Sequence, residues 1–120
     1  MPSHAPRILI VEDQAILALQ LAAAVRDCGC EVVGPAYLAI TALPMALHEQ
    51  LDAALLDVNL IDQTVEPIAE ALASRGIPFG FVTGYSRDHL PATHRSRPCI
   101  NMPFTDREVR SLISTLTGMA

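Results

Sequence analysis

A doubly wound α/β sandwich, with helices on both faces of a parallel sheet, is the fold this sequence predicts. Three observations lead there. Five short apolar runs recur along the 120 residues, amphipathic stretches of helical spacing separate them, and the connections are short, with no Pro/Ser/Gly-rich linker and no internal repeat. The length suits one domain, residues 1–120 with a core from about 7 to 117, and is too small for two.

The first run, Arg7 to Val11, reads Arg-Ile-Leu-Ile-Val and stops at Glu12-Asp13, as a strand covered on both faces does. A helical pattern follows through Leu17, Leu21, Val25 and Cys28, with Gly29 where a C-cap is expected. Glu31 to Gly34 is the second strand. Ile40, Leu43, Leu47 and Leu51 mark the second helix, which Pro44 should kink or shorten, because its ring removes a donor and crowds the preceding turn. Ala53 to Val58 is the third and most apolar strand; Pro67 suits the first turn of the helix after it, and Gly76 its end. Pro78 to Thr83 is the fourth strand. From Ser86 to Pro98 there are two prolines, three arginines and little apolar periodicity, so a short or irregular fourth helix is expected. Pro98 to Asn101 is the fifth strand. Thr105-Asp106-Arg107-Glu108 then reads as a capping box opening a last helix through Val109, Leu112, Ile113 and Leu116.

Composition narrows the function classes. A hydrophobic share of 51% against 18% charged argues for a buried core and against disorder. No apolar run approaches the roughly 18 residues that cross a bilayer, and Met1 to Pro6 lacks the build of a secretion signal, so a cytoplasmic protein without a membrane partner is expected. The net charge is −5, and all eight basic residues are arginine, with no stripe for nucleic-acid phosphates; direct nucleic-acid binding is not expected. Cys28, Cys30 and Cys99 form neither an even framework nor a C-x-x-C pair, which suits reduced, buried thiols.

In a sheet of this kind ligands gather outside the carboxyl ends of the strands, near the point where strand order reverses. Those ends carry Glu12-Asp13 after the first strand, Asp57 after the third and Thr83-Gly84 after the fourth. Carboxylates crowded together repel one another unless a cation sits among them, and hard oxygen ligands favour Mg²⁺ or Mn²⁺. Glu12 and Asp13 also suit a plain helix cap, and Thr83 is an ordinary strand residue. Neither explains why the most apolar strand ends in Asp57.

Glu12-Asp13, Leu55-Leu56-Asp57-Val58-Asn59-Leu60, Thr83-Gly84 and Pro103-Phe104 resemble, in order and spacing, the motifs of response-regulator receiver domains. The resemblance runs from Arg7 to about Thr117. Gly76-Ile77-Pro78-Phe79 with Phe81-Val82-Thr83-Gly84-Tyr85 further resembles a group of stand-alone receivers served by particular sensor histidine kinases. The resemblance implies a flavodoxin-like (CheY-like) three-layer sandwich with five parallel strands in the order 2-1-3-4-5. It implies that Asp57 accepts a phosphoryl group from a histidine kinase or phosphotransfer protein. Asp13, Asp57 and the backbone carbonyl of Asn59 would ligate the metal, with Glu12 helping directly or through water, and Thr83 would bond a phosphoryl oxygen. Output would pass by contact to an unidentified downstream protein through the face of the fourth helix, last strand and last helix, where a homodimer is also allowed. Such a domain catalyses its own phosphorylation and is not a turnover enzyme.

Two positions depart from the family pattern. Met102 stands where a lysine normally precedes the proline, in a chain without lysine, and Cys99 replaces the usual aromatic residue three positions earlier. A unit charge at about 4 Å is worth on the order of 4 kcal/mol at an effective dielectric near 20, before desolvation. Arg87, four residues past Thr83, is a candidate replacement. The losses open a second reading, a degenerate receiver that binds proteins without phosphorylation. A flavin carrier would need hydroxyls where Glu12-Asp13 stand and stacking aromatics, but the chain has no Trp and two Tyr. A metal-dependent phosphatase would need D-x-D at the first strand and a lysine. The spacing of His89, His94 and Cys99 fits no common zinc pattern.

Overall fold

The computed structural model describes residues 5–58, 60–84 and 90–118. Along the chain run β1 (Arg7–Val11), α1 (Ala15–Asp27), β2 (Glu31–Ala36), α2 (Ala39–His48), β3 (Ala53–Leu56), α3 (Glu66–Ser74), β4 (Phe79–Thr83), a 3₁₀ turn (Ala92–His94), β5 (Cys99–Asn101) and α4 (Asp106–Thr117). The strands form one sheet in the order β2-β1-β3-β4-β5, every neighbouring pair parallel, the flavodoxin-like arrangement expected. Order reverses at β1, so the rim beyond β1 and β3 is where a ligand crevice opens.

Strand alternation divides the core between the two faces. Leu9, Val11, Leu56, Phe79 and Phe81 point toward α2 and α3, while Ile8, Ile10, Leu55 and Val82 point toward α1 and α4. Both faces are covered, which is why β3 is wholly apolar and wholly buried. On the second face Gly80 lets α4 seat closely. A Cβ there would stand 2.9 Å from Leu112 Cδ1 and 3.1 Å from the Pro98 carbonyl.

The helix signals behave as the sequence predicts at several ends. Gly29 and Gly76 take the left-handed conformation just beyond α1 and α3, Pro67 sits in the first turn of α3, and Thr105 and Glu108 form the reciprocal capping box of α4. The apolar stripe holds on α4, where Val109, Leu112 and Ile113 are buried, but not on α2. The inner face of α2 is Ala39, Ala42 and Ala46, with Leu43 half-buried, whereas Ile40 and Leu47 are exposed. On α1 the expected stripe holds: Leu21 and Val25 are buried beside Ala18, Ala22 and Ala24, with Leu17 and Cys28 half-buried, while Ile16 and Leu19 face out. Small residues let α2 seat closely on strands whose own side chains are large, and its Ile40 and Leu47 are left outside. Pro44 does not break α2, for the carbonyl it leaves unbonded belongs to the exposed Ile40, but the helix ends at His48 and Leu51 lies beyond it in the approach to β3.

The expected fourth helix is a single 3₁₀ turn among the described residues. His94 closes that turn, buried, with its ring edge-on to Phe79 at 5.3 Å. Of the cysteines, Cys30 is buried as expected, while Cys28 and Cys99 are only half-buried. No helix among the described residues is long and apolar enough to cross a membrane.

Candidate functional site

The acidic rim follows from strand register. Val11 of β1 pairs with Leu56 of β3, so the residues after each emerge side by side. The Asp57 N–H still donates to the Val11 carbonyl at 2.8 Å, and the Glu12 N–H donates to the Ala36 carbonyl of β2 at 3.0 Å. Backbone bonds thus hold both carboxyl-bearing residues to the sheet. One oxygen each of Glu12, Asp13 and Asp57 lies within 4.8 Å of the others. Glu12 and Asp57 are buried and Asp13 is half-buried.

Glu12 also does the helix work that a capping acid does. Its Oε2 accepts the N–H of Gln14 at 3.0 Å, where Gln14, the residue preceding α1, offers no side-chain cap of its own. Burial pushes the Glu12 carboxyl from its ordinary 4.5 up to about 8; the Gln14 bond pulls the other way, and the nearby Asp57 and Asp13 push further up. The donor set is all hard oxygen, which fits Mg²⁺ or Mn²⁺.

Thr83 ends β4, fully buried, two residues beyond Phe81, the β4 partner of Leu56. It therefore reaches the same rim one strand over. Its carbonyl accepts the Met102 N–H at 2.9 Å, which fastens the exit of β5 to β4. Met102 is half-buried, and packs against the cluster beneath α1 and α4. Cys99 pairs with Phe81 in register and packs against the opposite cluster, toward α3. Asn59, Arg87 and His89 lie outside the described residues.

One contact at the rim has no mark in the sequence. The carboxylate of Asp62, in the segment leaving β3, accepts the N–H groups of Ala39 at 2.8 Å and Ile40 at 3.0 Å at the start of α2. The partners are 23 and 22 residues apart, beyond any local capping pattern.

No family model matches the sequence. Among solved structures, SdrG from Sphingomonas melonis Fr1 is 38% identical, superposes with a TM-score of 0.83 and aligns over 97% of this chain and 98% of its own. A BeF3-activated conformation of SdrG, from Pseudomonas melonis Fr1, gives 38%, 0.78, 97% and 99%. The phyllosphere-induced regulator PhyR of Methylorubrum extorquens is 30% identical over 115 residues, 92% of this chain; the match spans only 43% of PhyR. The receiver domain of the sensor histidine kinase PA1611 from Pseudomonas aeruginosa PAO1, solved with a magnesium ion coordinated in its active-site cleft, shares the fold at 21% identity with a TM-score of 0.82 over 95% and 98% of the two chains. With the strand order, the rim and a full-length match to SdrG in agreement, the chain belongs to the CheY-like receiver domains of response regulators, the modules of two-component signalling.

Proposed function

We propose that this receiver is phosphorylated on Asp57 by a sensor histidine kinase or phosphotransfer protein and signals by protein contact. The observation that supports this most is the gathering of Glu12, Asp13 and Asp57 oxygens within 4.8 Å at the carboxyl ends of the two central strands. An Asp57 oxygen attacks the phosphorus of a phosphohistidine. A P–O bond forms as the P–N bond breaks, and the bonding pair returns to the imidazole of the donor. Asp13, Asp57 and the Asn59 backbone carbonyl would hold Mg²⁺ or Mn²⁺, with Glu12 assisting directly or through water. The cation, when bound, supplies positive charge that screens the transferring phosphoryl oxygens. The Thr83 hydroxyl then donates to one of those oxygens.

Two neighbours lend support by analogy: the PA1611 receiver holds magnesium in its cleft, and SdrG has a BeF3-activated form. The reaction is self-phosphorylation at Asp57 in a cytoplasmic setting and involves no turnover of a free substrate.

One observation favours a second reading. Met102 takes the lysine's place and packs into the apolar cluster under α1 and α4. A receiver that signals without phosphorylation could dispense with the ammonium in this way. Intact-mass analysis after incubation with acetyl phosphate and Mg²⁺ separates the two. The wild type gains one phosphate and Asp57→Ala gains none if the first reading holds. An unmodified wild type, whose NMR spectrum also ignores beryllofluoride with Mg²⁺, would establish the second.

A further inference from the structure

The start of α2 is capped in an unusual way. Leu38 occupies the position before the helix, and its side chain accepts nothing. The first N–H groups of a helix need acceptors, and Ser, Thr, Asp or Asn at that position ordinarily supplies one. Asp62 supplies both instead, one carboxylate oxygen to Ala39 and the other to Ile40. These bonds, with Ala39 first, hold the Asp62 carboxyl below its ordinary 3.8, as expected of an anion at the positive end of a helix.

A capping residue at position 38 would serve α2 equally well. What only a distant cap provides is a fastening for the chain that carries it. Asp62 closes the segment that begins with Asp57. The beginning is fixed by the Asp57 N–H bond to Val11, and Val58 and Leu60 are buried within it. Asp62 fixes the other end, between the exposed Ile61 and Gln63. With the chain held at Asp57 and again at Asp62, less ordering is left to be done when a cation and a phosphoryl group arrive.

We infer that Asp62 is a positioning residue for the acidic site, tying the loop after Asp57 to the start of α2 and so preparing it for the divalent cation. The inference rests on the metal-binding reading above.

Calorimetric Mg²⁺ titration of the wild type, Asp62→Ala, Asp62→Asn and the double variant Leu38→Asp/Asp62→Ala tests it, alongside thermal melts. Asp62→Ala should weaken Mg²⁺ binding about three- to ten-fold and lower the melting temperature. Asp62→Asn, which keeps one acceptor oxygen, should fall between. The double variant restores a cap to α2 without the tie, so its melting temperature should recover while its Mg²⁺ affinity stays low. If Asp62→Ala does not fold, the recapped double variant and Asp62→Asn carry the comparison. Wild-type affinity in Asp62→Ala, or full recovery of affinity in the double variant, would reduce Asp62 to a helix cap and overturn the inference while leaving the metal site standing. A wild type that binds no Mg²⁺ at millimolar concentration would remove both together.

Discussion

Glu12 shows how far the rim departs from an ordinary surface. In the unfolded chain its carboxyl titrates near 4.5, whereas in the folded protein it keeps its proton up to about 8. Between those values the folded state binds the extra proton. Its contribution to stability is therefore full below about 4.5 and is lost as pH rises through about 8. In EDTA, the wild type should lose melting temperature across that window and Glu12→Gln should lose less; parallel profiles would show that Glu12 is not the group responsible. Because a cation competes with that proton, Mg²⁺ should bind more tightly as pH rises. The acids were readable from sequence because each follows an apolar strand and strands in a parallel sheet end on a common rim. Met102 and Cys99 were readable as departures from a familiar order. Asp62 was not, because its partners lie 23 and 22 residues away and only the folded chain brings them together.

Helices divide into those with local instructions and those without. The capping box of α4 is complete: Thr105 Oγ1 accepts the Glu108 N–H at 3.1 Å, and Glu108 Oε1 accepts the Thr105 N–H at 2.9 Å. Thr105→Ala should destabilise the protein by about 1 kcal/mol and Thr105→Ser by much less, measured by urea denaturation. Equal losses would mean that the methyl group, not the hydroxyl, matters. Where no such signal exists, hydropathy misleads. The periodic Ile40, Leu43, Leu47 and Leu51 pattern located α2, but Ala39, Ala42 and Ala46 make most of its contact, with Leu43 at the edge and Ile40 and Leu47 exposed. Periodicity registers large apolar residues and passes over alanine, which lines the contact of α2. The stretch before β5 was legible only as irregular, because prolines and arginines announce the lack of a regular helix without specifying the turn that replaces it.

The strands and the parallel sheet were the most legible features of the molecule, because five apolar runs joined by helices admit few parallel topologies, while the strand order came from the resemblance to receivers. A cation that binds the folded rim and not the unfolded chain stabilises the whole protein by mass action, about 2.7 kcal/mol at a hundredfold excess over its dissociation constant. Saturating Mg²⁺ should therefore raise the melting temperature of the wild type but not of Asp57→Ala; an unchanged wild type would count against the metal site. The alanine lining of α2 gives this coupling a reach beyond the rim. Three methyl groups set how deeply that helix sits, and Asp62 is bonded to its first turn. A bulkier residue at the buried Ala42 would lift the helix and carry the Asp62 anchor with it, so that a fault in packing on one face would surface as a fault in chemistry at the edge.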